Sequence, residues 1–141
     1  MDTFEEIKNL AYRTIETNAI RAKNRKLKLV VNGTVVYLAP NDIGYLSFLL
    51  AEKVLSQDYD EFIDLEFVRS DVPLIDIRKL SASMVRSLCK ELQSFSLRID
   101  LLAAKNLDAL SKCNTEEEIM KLLDSIVKNE EKIELDYRKS I

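Results

Sequence analysis

The sequence predicts a mainly helical α+β domain, and three observations carry that expectation. Only two Gly and two Pro occur in 141 residues, which favours long regular elements over loops. Apolar residues recur at helical spacing in four separate stretches. Between the first two, LKLVVNGTVVYL alternates around an Asn-Gly pair, the strongest short-range signal for a β-hairpin. A chain of this length buries a real core without disulfides or metal. Residues 1–141 are therefore read as one domain, with a helix–hairpin–helix–strand part over 1–77 and a long helical hairpin over 78–141.

In TFEEIKNLAYRTIETNAI, residues 3–20, Phe4, Ile7, Ala11 and Ile15 share one helical face, and Thr3 with Glu6 has the spacing of a capping box. The helix is expected to end within RAKNRK, where the apolar period stops and positive charge suits a helix C-terminus. A two-residue type I′ loop at Asn32-Gly33 then fixes the hairpin register. It sets Val31 opposite Thr34, Val30 opposite Val35, Leu29 opposite Val36, Lys28 opposite Tyr37 and Leu27 opposite Leu38. One face carries Leu27, Leu29, Val31, Val36 and Leu38 and must be covered, while Lys28, Val30, Val35 and Tyr37 form the other.

Asn41 is placed to cap a second helix. From Ile43 to Ala51 this helix has no charge, and its nearly all-round apolar surface marks it as central to the core or as half of an interface. In DYDEFIDLEFVRS, Ile63, Leu65 and Phe67 alternate with Asp64 and Glu66, which predicts a half-buried strand over the alternative helical reading. Pro73 restricts the next segment to an edge strand or an irregular path.

From Ser81 to Lys112 runs a helix of roughly 30 residues, on the order of 45 Å long. Val85, Leu92, Ile99 and Asn106 hold one heptad position, and Leu88, Phe95, Leu102 and Ala109 the other. A second stripe, Leu97, Leu101 and Ala104, gives its C-terminal half another apolar face. Thr115 and Glu118 form a capping box at the head of the last helix, whose buried face is Ile119, Leu122, Leu123, Ile126 and Ile133. The short link over 111–114 predicts an antiparallel pair.

Several function classes lose their usual residues. There is no histidine, which removes the commonest general base and transition-metal ligand. Cys89 and Cys113 are far apart and lack a zinc spacing, so idle or buried thiols are expected. With Gly33 and Gly44 alone, no glycine-rich phosphate loop can form. The acids Asp58, Asp60, Glu61, Asp64 and Glu66 miss the calcium-loop pattern, since Phe62 and Ile63 stand where a fifth-position ligand and a glycine are needed. The expectation is a protein that is not an enzyme and uses no cofactor or metal. No apolar run reaches the length of about 18 residues that a membrane helix needs. The acidic start MDTFEEI is unlike a signal peptide, so no membrane and a cytoplasmic location are expected.

Two sets of residues remain as functional candidates. Arg21, Lys23, Arg25, Lys26 and Lys28 place five cations in eight residues without an acid, inside a chain of net charge −3. Such a patch can neutralise a few phosphates of DNA or RNA, although residues 21–36 hold no aromatic side chain on which bases could stack. Tyr45, Phe48 and Leu49 on the second helix, with Leu92, Phe95, Ile99 and Leu102 on the long helix, offer more apolar surface than one small sheet can cover. The leading expectation is an accessory or adaptor protein acting through helical contacts with itself or with a protein complex. The alternative is a nucleic-acid-associated subunit that contacts the phosphate backbone through residues 21–28.

Overall fold

In a computed structural model, which describes residues 3–55, 62–69, 72 and 74–140, β1 (Leu27–Val31) pairs antiparallel with β2 (Thr34–Leu38). All five expected partners are opposite one another, from Val31 with Thr34 to Leu27 with Leu38. Asn32 and Gly33 have φ of 49° and 80°, the positive values that a type I′ loop demands at both centres. Leu27, Leu29, Val36 and Leu38 are buried together on one face.

The alternating segment after residue 61 is a strand, β3 (Phe62–Val68), with Ile63, Leu65 and Phe67 buried. The segment after Pro73 is also a strand, β4 (Ile75–Ser81), and it pairs antiparallel with β3 to make a second hairpin. The fold thus holds one strand more than the single further strand expected. Its alternation is inverted. Leu80, Arg78 and Asp76 stand opposite the buried Ile63, Leu65 and Phe67, while Ile75 and Ile77 are exposed.

A 3-10 turn, Pro40–Asp42, leads into α2 (Ile43–Leu55). Asn41 does not cap α2, contrary to expectation, because Pro40 starts the turn first and Asp42 closes it by accepting the Ala39 N–H at 2.7 Å. Asn41 Nδ2 instead donates to Asn24 Oδ1 at 2.6 Å, at the last residue of α1 (Thr3–Asn24). The Glu66 N–H donates to the Tyr45 hydroxyl at 3.0 Å, and Lys53 Nζ donates to the Phe62 carbonyl at 2.6 Å. Both bonds take up β3 backbone groups that β4 leaves free.

The chain divides into two compact units, Met1–Ala22 with Leu97–Ser140, and Lys23–Ser96. Both draw on α3 (Ala82–Ser111), which begins at a Ser81 hydroxyl that accepts the Met84 N–H at 3.2 Å, as an N-cap does. In the first unit, Ala11 and Ile15 of α1 cluster with Leu110, Cys113, Ile119 and Ile126, the last two from α4 (Glu116–Ser140). The expected box at the head of α4 forms with a shift. Thr115 Oγ1 accepts the Glu118 N–H at 3.2 Å, but the Glu118 carboxylate takes the Asn114 N–H at 2.9 Å, one residue ahead of the cap. Lys8 Nζ donates to the Ser111 and Cys113 carbonyls, each at 3.4 Å, where a helix C-terminus favours a cation.

In the second unit, Leu46 of α2 and Val85, Leu88, Leu92 and Phe95 of α3 are buried along with the inner faces of the hairpins. Among the described residues no helix is long and apolar enough to cross a membrane.

Candidate functional site: a basic pocket between the two hairpins

The five cations of the basic segment lie on three kinds of backbone. Arg21 and Lys23 belong to the last turns of α1, Arg25 and Lys26 to the link, and Lys28 to β1. Lys26 is neutralised locally, since its ammonium meets the Asp42 carboxylate at 2.7 Å. Lys28 is exposed on the face of β1 opposite the buried leucines, and among the described residues it has no ion pair.

That second face is where the two hairpins meet. Tyr37, directly across from Lys28 in the register, is buried despite lying on the face away from the leucine row. The Phe67 ring explains why: the two ring centroids are 6.1 Å apart with planes tilted by 39°, within the range of favourable aromatic pairs. Beside the rings opens a pocket of about 240 Å³. Hairpin β1–β2 lines it with Lys28, Val35 and Tyr37, and hairpin β3–β4 with Phe67, Arg69, Asp76 and Arg78.

The lining has a fixed internal geometry on the β4 side. Arg78 Nη1 donates to Asp76 Oδ1 at 3.0 Å and Nη2 meets Oδ2 at 3.0 Å, a two-bond fork that locks the guanidinium plane. Asp76 Oδ1 also accepts the Ile77 N–H at 2.8 Å, which holds the carboxylate in turn. Of these residues the sequence singles out Lys28 alone. The others escape because Asp76 and Arg78 sit where a strand's inward positions should be apolar. That inversion, Asp76 and Arg78 inward with Ile75 and Ile77 outward, is the available signal.

The expected interface residues divide by burial. Leu92, Phe95 and Ile99 are buried by the chain's own fold. Tyr45, Leu49 and Leu102 are half-buried, with the Tyr45 hydroxyl engaged by β3. Phe48 stands in solvent, as do Leu97 and Leu101 of the second α3 stripe. Of the thiols, Cys113 is buried with Sγ 3.4 Å from the Ala109 carbonyl, and Cys89 Sγ lies 3.5 Å from Ser47 Oγ. Asp64 and Glu66 are exposed on β3, while Asp58, Asp60 and Glu61 lie outside the described residues, as does the side chain of Ile133. Among the described residues no group of Cys, Asp and Glu is arranged to hold a metal ion. No family model matches the chain, and no curated protein or solved structure matches it significantly.

Proposed function

We propose that the chain is a non-enzymatic accessory protein of the cytoplasm that works by docking, through α2, onto a second copy of itself. The observation that carries this reading is the outer face of α2. Leu46 is fully buried, yet Phe48, Val54 and Leu55 are 62%, 74% and 83% exposed on the same short helix. Gly44, Phe48, Ala51 and Leu55 succeed one another at helical spacing, so a large ring is flanked by two small residues. Two antiparallel copies can interdigitate there, each Phe48 seated against the small residues of the other, and a two-fold interface uses one patch twice.

Gly44 adds independent support. A methyl group built on it meets nothing within 4 Å, so no contact inside the chain calls for glycine there. The uncharged run from Ile43 to Ala51 suits the centre of an interface, where charge is depleted. Light scattering coupled to size-exclusion chromatography tests the reading: the native chain is expected to run as a dimer and Phe48→Lys as a monomer. A native chain that stays monomeric at high concentration refutes it.

A second reading, nucleic-acid contact through Arg21, Lys23, Arg25, Lys26 and Lys28, is supported by the lack of any acid in that segment. It is weakened at Lys26, whose charge Asp42 matches. Reversing the charge at Arg21, Lys23 and Arg25 should abolish a steeply salt-dependent affinity for mixed DNA and RNA if this reading holds.

A further inference from the structure

We propose that the pocket between the two hairpins binds a small carboxylic acid, held as its carboxylate, whose body is a compact apolar group. Two side chains of the lining lack a polar partner, and together they select this chemistry. Tyr37 is buried, at 8% exposure, and among the described residues its hydroxyl has no hydrogen-bond partner. Buried hydroxyls generally have one, so this one marks a place for a ligand oxygen. Lys28, beside it in the lining, has no ion pair among the described residues.

The other charged groups of the lining are already engaged. Arg78 meets the Asp76 carboxylate through Nη1 and Nη2, each at 3.0 Å, and Nη1 also reaches the Ile77 carbonyl at 3.5 Å. Asp76 holds the Ile77 N–H as well, so the pair is neutral and occupied as a unit. Arg69 has an interaction of its own within the protein. An incoming molecule therefore meets one ammonium and one hydroxyl, which suit a single negative charge shared by two acceptor oxygens.

The hairpin register sets the two groups side by side. Lys28 and Tyr37 are directly opposite in β1–β2, where side chains leave the same face with Cβ atoms about 4.5–5.5 Å apart. Two side chains of similar length rising from such a pair can each take one oxygen of the same carboxylate. The pairing of Tyr37 with the Phe67 ring, centroids 6.1 Å apart, holds the hydroxyl-bearing ring in place. Val35 and Phe67 supply the apolar part of the lining, against which the body of the acid packs. At about 240 Å³ the pocket falls just below the range of roughly 300–1,000 Å³ typical of drug-sized ligands. It has room for a carboxylate and a small ring.

The test is an NMR titration of the full chain with benzoate, with benzamide as the uncharged molecule of the same shape, and with sodium chloride at matched ionic strength. Benzoate is expected to shift the backbone amides of Lys28, Val35, Tyr37 and Phe67, while benzamide and chloride leave them in place. Lys28→Gln and Tyr37→Phe should each weaken benzoate about tenfold, the range of one hydrogen bond to a charged group; Lys79→Gln, on the opposite face of β4, should not. Lys28 is exposed, so its variant keeps the fold, and amide dispersion verifies this. Tyr37→Phe keeps the ring against Phe67, and without ligand it should melt no lower than the native chain. A lower melting temperature would show that the hydroxyl serves the fold. That result, absent pocket shifts at millimolar benzoate, equal shifts with benzamide or chloride, or undiminished affinity in Lys28→Gln would each overturn the proposal. So would tighter binding of a short peptide with a free C-terminal phenylalanine, which would assign the pocket to chain ends.

Discussion

The Tyr45 hydroxyl accepts the backbone N–H of Glu66 at 3.0 Å, and through that bond a helix holds a strand by its backbone. Tyr45→Phe removes the acceptor and keeps the ring. The expected loss is about 0.5–1.5 kcal/mol, the net worth of one hydrogen bond. Urea denaturation measures it, and faster hydrogen exchange at the Glu66 amide assigns it to this contact.

The two glycines should respond to alanine in opposite directions. Gly33 has φ of 80°, where an L side chain is strained, so Gly33→Ala should destabilise by about 1 kcal/mol. Gly44 is helical with open space around it, so Gly44→Ala should stabilise the dilute protein by up to about 1 kcal/mol. Thermal melts of the two variants side by side give the sign of each.

Asn106 is buried at 8% exposure, and among the described residues its amide has no hydrogen-bond partner. It stands at a heptad position otherwise filled by Val85, Leu92 and Ile99. Asn106→Leu should raise stability by about 1–3 kcal/mol, since it replaces a buried unsatisfied group with an apolar one of similar size. An unchanged or lower melting temperature would show that the amide is satisfied in solution.

Phe48 and Leu92 separate docking from folding. Phe48→Ala removes an exposed ring and should change stability by less than about 0.5 kcal/mol while weakening self-association. Leu92→Ala empties a fully buried position and should cost about 2–5 kcal/mol of stability. Denaturation midpoints and sedimentation velocity on both variants distinguish the two roles.

Hairpin β1–β2 is legible in the sequence pair by pair because Asn32-Gly33 is a local device: two residues fix the register of ten. The heptad of α3 is legible for the same reason, and Val85, Leu88, Leu92, Phe95 and Ile99 are all buried. A heptad does not disclose its partner. The chain covers Leu92, Phe95 and Ile99 with its own elements, although their spacing alone marks them equally well as interface residues. Strand β4 is legible only as the edge-strand alternative that Pro73 leaves open, because its apolar and charged positions are exchanged between the two faces. The pocket stays hidden, since Lys28 is brought to Arg69, Asp76 and Arg78 only when the two hairpins pack, a long-range event that no window of sequence contains.

The bonds from Tyr45 and Lys53 to β3 give hairpin β3–β4 a direction of growth. A strand arriving from elsewhere finds the β3 flank occupied by α2, whereas among the described residues no further strand lies beside β4. Propagation of the sheet, whether in misassembly or in crowded storage, would therefore start at Ile75 and Ile77. There the Asp76 carboxylate already holds the Ile77 N–H, and Lys79 adds a charge to the flank. The side chain that orients Arg78 in the pocket thus also withholds a backbone donor from any incoming strand.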